Sequence, residues 1–166
     1  MRQRAQSKLA ATQPIMPICL LLAGKPCLVV GGGPIAARKT SHLLEARADV
    51  TVVSPKTCPE LRSLARAKKI RILPRAFTAS DVSGKYLVFA ATDNTAVNRQ
   101  VLAKCRKCGM LCSAADSNWP QGDFVMPATT RKNGLVVTVS TGGRNCRQAR
   151  LVKDRIAALL ETLADE

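Results

Sequence analysis

The segment that most restricts the fold is Gly31-Gly32-Gly33-Pro34-Ile35-Ala36. It follows an apolar run, Cys27 to Val30, and opens a stretch from Pro34 to about Ala46 whose apolar residues recur at helical spacing. Strand, glycine turn and helix in that order are the context in which G-x-G-x-x-A binds the pyrophosphate of a dinucleotide. In that reading Gly31 allows the tight turn, Gly33 lets the backbone approach the pyrophosphate, and Ala36 lets the helix pack close to the sheet. Pro34 suits the first helical position, where its missing N–H costs nothing. Ile35 and Ala36 complete a first turn whose amides and dipole favour an anion. A glycine turn that holds no ligand is the plain alternative.

The alternation continues through two thirds of the chain. A strand is expected at Val50 to Val53, a helix at Pro59 to Ala67, strands at Ile70 to Leu73 and Tyr86 to Ala91, a helix at Asn94 to Lys107, and a strand at Met110 to Ala114. Strands separated by helical crossovers make a parallel sheet covered on both faces, an α/β fold of Rossmann type. After Asp116 the rhythm changes. Phe124 to Ala128 and Leu135 to Ser140 read as strands joined by the turn Arg131-Lys132-Asn133-Gly134. A long amphipathic helix follows, with Leu151, Ile156, Leu159, Leu160 and Leu163 on one stripe. The expected organisation is a flexible tail over 1–13, a Rossmann-like nucleotide-binding domain over 14–115, and a small α+β extension over 116–166.

Charge narrows the partners. The chain has 26 Lys and Arg against 11 Asp and Glu, a net +15 with its one histidine neutral. Such an excess suits nucleic acid, an anionic membrane, or a small substrate rich in carboxylates or phosphates. The aromatic residues are only Phe77, Phe89, Phe124, Tyr86 and Trp119, and no long basic run tracks a phosphate backbone, which argues against single-stranded nucleic acid and leaves duplex binding open. The basic N-terminus followed by Pro14 to Gly24 has a signal-peptide look. Its two interrupting prolines and the strand that follows at once argue against cleavage there. No uninterrupted apolar stretch reaches the roughly 18 residues that span a bilayer. Seven cysteines, an odd number set mostly inside apolar runs, suit a reducing, cytoplasmic setting. Cys105, Cys108 and Cys112 have a spacing reminiscent of a cluster ligand set, but lack a nearby fourth partner and read as ordinary thiols; no fixed metal site is expected. His42, between Ser41 and Leu43 inside the first helix, reads as a packing or surface residue.

Open α/β sheets bind ligands beyond the carboxyl ends of their strands. Besides the glycine turn, those ends carry Ser54-Pro55-Lys56 after the second strand, Thr92-Asp93 after the fourth, and Ser113 to Asp116 at the fifth. The acidic residue that usually closes the second strand is absent. Ser54 can donate to a ribose hydroxyl and Lys56 can face a 2′-phosphate, so NAD and NADP both stay open. Each also has a plain reading: Ser54-Pro55 as a strand-ending turn, Lys56 as a solvated lysine. Asp116 is placed near a bound nicotinamide by topology; as a turn residue it would have no such role.

These residues, in this order, resemble the precorrin-2 dehydrogenase and sirohydrochlorin ferrochelatase family, which also forms the N-terminal part of siroheme synthases. The resemblance runs from Pro17 to about Ile156, and GGG-x-x-A-x-R-K, AATD-x-x-x-x-N, DF-x-x-PA and STGG carry it. It implies NAD-dependent oxidation of precorrin-2 to sirohydrochlorin, with ferrous iron inserted by many members. It implies homodimers formed through the region matching Phe124 to Gly143. It implies that Asp116 is the catalytic carboxylate and that Asp93 and Asn98 lie around the cofactor pocket. A tetrapyrrole with eight carboxylates would suit a protein of charge +15. Three departures stand out: Ser113-Ala114-Ala115-Asp116 for Asn-Val-Val-Asp, Arg144-Asn145-Cys146 after the glycine pair, and Arg47 where a glycine usually ends the first helix. Rival readings are a nucleotide-sensing module without turnover, and a basic nucleic-acid-binding protein recognised by salt-dependent binding.

Overall fold

A computed structural model describes residues 15–162. They form two compact units, 18–124 and 15–17 with 125–162. In the first, β1 (Pro26–Val30), β2 (Asp49–Val53), β3 (Arg71–Leu73), β4 (Leu87–Ala90) and β5 (Leu111–Ala114) make one parallel sheet of order β3-β2-β1-β4-β5. The connections carry α1 (Pro34–Glu45), α2 (Pro59–Arg66), a 3₁₀ turn (Ala79–Val82) and α3 (Thr95–Lys107). This is the expected α/β fold of Rossmann type.

Because alternate strand residues face opposite sides, the sheet divides two cores. Cys27, Val29, Val50, Val52, Leu87 and Phe89 pack with Ala36, Ala37 and Leu43 of α1 and Leu61 of α2. Leu28, Val30, Val53, Val88, Ala90, Cys112 and Ala114 pack with Val101, Leu102 and Cys105 of α3. The central strands are buried on both faces, and so read as continuous apolar runs rather than alternating ones. α3 begins one residue later than expected because Asn94 caps it, its Oδ1 accepting from the amides of Ala96 (2.9 Å) and Val97 (3.2 Å).

The sheet unit extends past Asp116, through a 3₁₀ turn at Trp119–Gln121, to Phe124. Asp123 Oδ2 accepts from the Cys112 amide at 2.8 Å, and the Phe124 ring meets Phe89 edge-on at 5.5 Å. These contacts hold residues 116–124 to β5 and β4, so the division between the units falls after Phe124 rather than after Ala115.

In the second unit, β6 (Ala128–Lys132) and β7 (Leu135–Val139) form an antiparallel hairpin beside α4 (Cys146–Thr162). The strand expected over Phe124 to Ala128 is displaced: it starts at Ala128 and includes Arg131 and Lys132. Pro127 has no amide to give to a ladder, and the turn is only Asn133-Gly134, both at positive φ (47° and 81°), as a two-residue hairpin turn requires. The tail expected over 1–13, and Leu163 of the helix stripe, lie outside the described residues. No helix among the described residues is long and apolar enough to cross a membrane.

Candidate functional site

Val30 pairs with Val53 on one side and Ala90 on the other, and Ala90 pairs with Ala114, so β1, β2, β4 and β5 end at one edge of the sheet. Chain connections leave β1 in opposite directions along the sheet, which opens a crevice at that edge.

The glycine turn after β1 is shaped by its neighbours. Gly31 has φ +133°, and a Cβ there would lie 2.2 Å from the Ala91 carbonyl oxygen; at Gly32 it would lie 1.8 Å from the Lys56 carbonyl oxygen. The turn is also tied down, the Gly31 amide donating to the Val53 carbonyl (2.9 Å) and the Gly32 carbonyl accepting from the Cys58 amide (2.7 Å). Gly33 is different. Its φ of −88° suits any residue, and a Cβ on it would meet nothing within 4 Å. Neither strain nor crowding within the chain demands glycine there, so the space it leaves is open to a ligand. Gly33 is also the N-cap of α1 and offers no side-chain cap to the helix amides. An open cradle facing uncapped amides is what a pyrophosphate fits. Pro34 takes the first helical position and Ala36 is buried against the sheet, both as expected, while Ile35 is exposed.

The turn after β2 is more committed than the sequence suggests. Ser54 is buried, and its hydroxyl donates to the Lys56 carbonyl at 2.6 Å. Its proton therefore holds the turn that cradles Gly32, and the oxygen is left to accept. Pro55 and Lys56 are exposed.

At the ends of β4 and β5 the side chains form one network. Asn98, fully buried in α3, donates from Nδ2 to the Thr92 carbonyl (2.9 Å) and to Asp116 Oδ2 (2.8 Å). Its Oδ1 accepts from the Thr92 hydroxyl (2.8 Å) and amide (3.2 Å). Asp116 is half-buried; Oδ2 also accepts from Asn118 Nδ2 (3.0 Å), and Oδ1 from the Asn118 amide (2.9 Å). Asn118 is itself buried and donates to the Thr95 carbonyl (3.2 Å). Asn98 thus faces protein on every side; of the two roles open to it from the sequence, a place around the cofactor pocket or a brace for the loop, these bonds are those of a brace. Its hydrogen-bonding capacity goes into bracing two loops. Asp93 projects from the exposed loop between them.

Sequence reasoning missed Asn118; the signal was the Asp-Ser-Asn triplet, whose first and third residues close an Asx-type turn. It also missed Lys39, whose ammonium lies 5.1 Å from the centroid of the Phe89 ring. Of the cysteines, Cys58 meets this edge through its backbone amide. Cys108 is exposed at the end of α3, whereas Cys105 and Cys112 are buried against each other. The Cys112 thiol donates to Cys105, and that bond together with burial pushes it well above the ordinary thiol range. Burial likewise pushes Cys27 up to about 11. Among the described residues no group of three or more His, Cys, Asp or Glu is placed to hold a metal ion.

The departure at Asn145 is conservative in effect: its Oδ1 accepts from the Gln148 amide at 2.9 Å, a cap for the start of α4.

Residues 18–128 match a family described as "Putative NAD(P)-binding". A siroheme synthase of Thioalkalivibrio sulfidiphilus is 42% identical over 144 residues, covering 87% of this chain and 29% of its own length. Siroheme synthase 1 of Aeromonas salmonicida is 39% identical over 145 residues, again 87% of this chain and 31% of its own. The chain therefore spans about three tenths of the curated relatives it matches. Among solved structures, the one titled "SirC, precorrin-2 dehydrogenase" superposes with a TM-score of 0.73 and 28% identity, covering 92% of this chain and 72% of that one. With a nucleotide cradle and a braced carboxylate at one sheet edge, and with these relatives, the chain belongs to the NAD(P)-binding family of precorrin-2 dehydrogenases and siroheme synthase N-terminal regions.

Proposed function

We propose that the protein is a dehydrogenase that oxidises precorrin-2 to sirohydrochlorin with NAD as acceptor, a step of siroheme synthesis. The observation that carries this reading is the placing of the Asp116 carboxylate, fixed by Asn98 and Asn118, on the sheet edge that also holds the open Gly33 cradle. The relatives supply the substrate: one is titled a precorrin-2 dehydrogenase and the others are siroheme synthases.

In this reading the Gly31 to Gly33 turn and the first amides of α1 hold the pyrophosphate, while Ser54, Pro55 and Lys56 line the adenosine ribose. Thr92 and Asp93 border the nicotinamide end. Bound NAD supplies a two-electron acceptor for hydride. Precorrin-2 loses one hydride and one proton, giving sirohydrochlorin, NADH and a released proton. Asp116 meets the macrocycle as its general base or orienting acceptor. Both lone-pair directions of Oδ2 are taken by amide protons and Oδ1 accepts one, so the remaining site on Oδ1 is where a substrate proton is received. The net charge of +15 draws in a substrate with eight carboxylates.

The same proposal extends to a homodimer, to ferrous iron as a second substrate, and to the cytoplasm. The dimer is supported by the second unit: Ala149 is its only buried apolar residue among those described, while Leu135, Val136, Leu151 and Leu159 are each more than half exposed. Seven free thiols support a reducing compartment.

The test is an anaerobic assay of the purified protein with precorrin-2 and NAD, following NADH and the sirohydrochlorin spectrum together, then adding ferrous iron. Equal NADH and sirohydrochlorin are expected. No turnover with NAD or NADP overturns the reading, and no iron-dependent acceleration removes the chelatase part alone.

A further inference from the structure

Resting on that reading of Asp116, we infer that Asn98 is a positioning residue that sets the carboxylate and ties it to the loop bordering the nicotinamide. Asn98 touches no ligand site, being fully buried, and its amide bonds both Thr92 after β4 and Asp116 after β5. Toward β4 it closes a ring on Thr92, taking the amide and hydroxyl protons and returning one to the carbonyl. Toward β5 its other N–H reaches Asp116 Oδ2 at 2.8 Å. Thr92 is further held by its own loop, its hydroxyl oxygen accepting from the Asn94 amide at 3.1 Å.

Asn118 donates to both carboxylate oxygens from two residues away and is itself tied to the Thr95 carbonyl, so it holds the carboxylate from the β5 side. The bond from α3 is the long-range one, spanning 18 residues of sequence, and it adds a third donor that couples the carboxylate to the Thr92 loop. A buried amide with every donor and acceptor paired is held rigidly. A carboxylate held by such an amide presents one oxygen lone pair in a constant direction, which is what a proton acceptor in a two-substrate reaction requires.

The test is a double-mutant cycle between Asn98 and Asp116, with NAD affinity measured separately by fluorescence. Asn98→Asp keeps the volume and the oxygen that accepts from Thr92, but replaces the donor to Asp116 with a second carboxylate. The expected result is a fall in kcat of about 100-fold, with the NAD dissociation constant changed less than about threefold. In an Asp116→Ala background the same change should alter kcat by less than about twofold, since a group that acts only through Asp116 has nothing left to act on. Losses that multiply, or an unchanged kcat in Asn98→Asp, overturn the inference.

A second readout needs no turnover. In ¹⁵N-labelled protein without ligands, the Asn98 side-chain amide protons should exchange slowly with water, and at least tenfold faster in Asp116→Ala. Exchange as fast as that of exposed Asn133 in the unaltered protein also overturns it. By contrast, slow exchange together with a fully active Asp116→Ala protein counts against the catalytic reading of Asp116 and leaves the brace standing.

Discussion

Residues 18–124 and 125–162 differ in how much of themselves they cover. In the first unit two layers of helix and turn close over a parallel sheet, and every buried apolar side chain among the described residues except Ala149 lies there. The second unit has complete secondary structure, with β6 and β7 paired along their length and α4 running for 17 residues, but its apolar residues stay open to solvent. Although α4 lies beside the hairpin, Ala149 is the one buried apolar side chain of this unit among the described residues. Well-formed elements without a core teach that hydrogen bonding and burial can be completed by different means. The first unit supplies both for itself, and the second leaves apolar side chains exposed that the proposed homodimer would cover.

The sharpest way to break this comparison is to overfill the tighter unit. Gly31→Ala places a Cβ 2.2 Å from the Ala91 carbonyl at a φ few alanines adopt, and the backbone on both sides belongs to central strands that cannot give way. A loss of roughly 3 kcal/mol or more is expected in chemical denaturation. A loss under about 1 kcal/mol would mean that β1 and β4 are not held together as tightly as their register implies.

In the open unit the large effect should fall on association. Leu159→Glu puts a charge on an exposed apolar position of α4. Sedimentation equilibrium should show the dimer weakened by about 100-fold, with the unfolding of the sheet unit unmoved. Dimerisation unaffected by this change would place the partner copy elsewhere.

Gly33→Ala separates folding from binding within the tight unit. With open space around its Cβ and an ordinary φ, stability should stay within about 0.5 kcal/mol, while NAD binds about tenfold more weakly because the methyl occupies the cradle. Unchanged NAD affinity would remove the pyrophosphate from this turn.

A smaller effect tests an ion pair at the sheet's edge. Asp81 is held down to about 2, chiefly by its hydrogen bond to Arg75, with the Thr78 amide and hydroxyl assisting. A carboxyl lowered on folding stabilises above its unfolded value near 4, and the contribution fades as pH falls from about 4 to 2. Asp81 is well buried, but its Arg75 partner is about half exposed and screened by water, which limits the contribution to about 1 kcal/mol. Asp81→Asn should therefore cost that much at neutral pH and approach nothing near pH 2. A cost independent of pH would assign it to the cap on the 3₁₀ turn rather than to the charge.

The same contrast governs what was legible in the sequence. In the tight unit, strands and helices follow from local periodicity and from punctuation such as the glycine triplet, Asn94 and Pro59, and each boundary lies within two residues of expectation. The hairpin boundary was misread because alternation alone does not reveal which side of Pro127 can donate to a ladder. At the site, residues whose role depends on their own turn were legible: Gly31, Gly33, Pro34 and Ala36. Asn118 was not, nor was the bond from Asn98 to Asp116, because their meaning comes from β4 and β5 lying side by side, which brings three separate segments to one carboxylate. Ser54 was half legible: its place on the edge was, and the bond that occupies its proton was not.

The smallest expected effect concerns how the helices of the tight unit stop. α1 and α2 both end on a basic residue in the left-handed region, Arg47 at φ 57° and Lys68 at φ 55°. Each helix closes in the same way: Arg47 donates to the Leu44 carbonyl at 2.9 Å and Ala48 to Leu43 at 3.0 Å; Lys68 donates to Ala65 at 2.9 Å and Lys69 to Leu64 at 3.0 Å. A side chain in this conformation costs roughly 1–2 kcal/mol relative to glycine. Two terms oppose it: glycine would loosen the unfolded chain by roughly 0.4–1 kcal/mol, and a cation at a helix C-terminus is favoured by roughly 0.3–1 kcal/mol. At the mid-values the balance leaves Arg47→Gly stabilising by only about 0.2 kcal/mol at low salt, read as a slightly raised denaturation midpoint with unchanged slope. Only the cation term is screened by salt, so the gain should grow between low salt and 1 M. A gain that shrinks with salt would show Arg47 to be engaged in repulsion from neighbouring cations, and a loss at every salt concentration would mean that the left-handed conformation costs this chain less than the two opposing terms together.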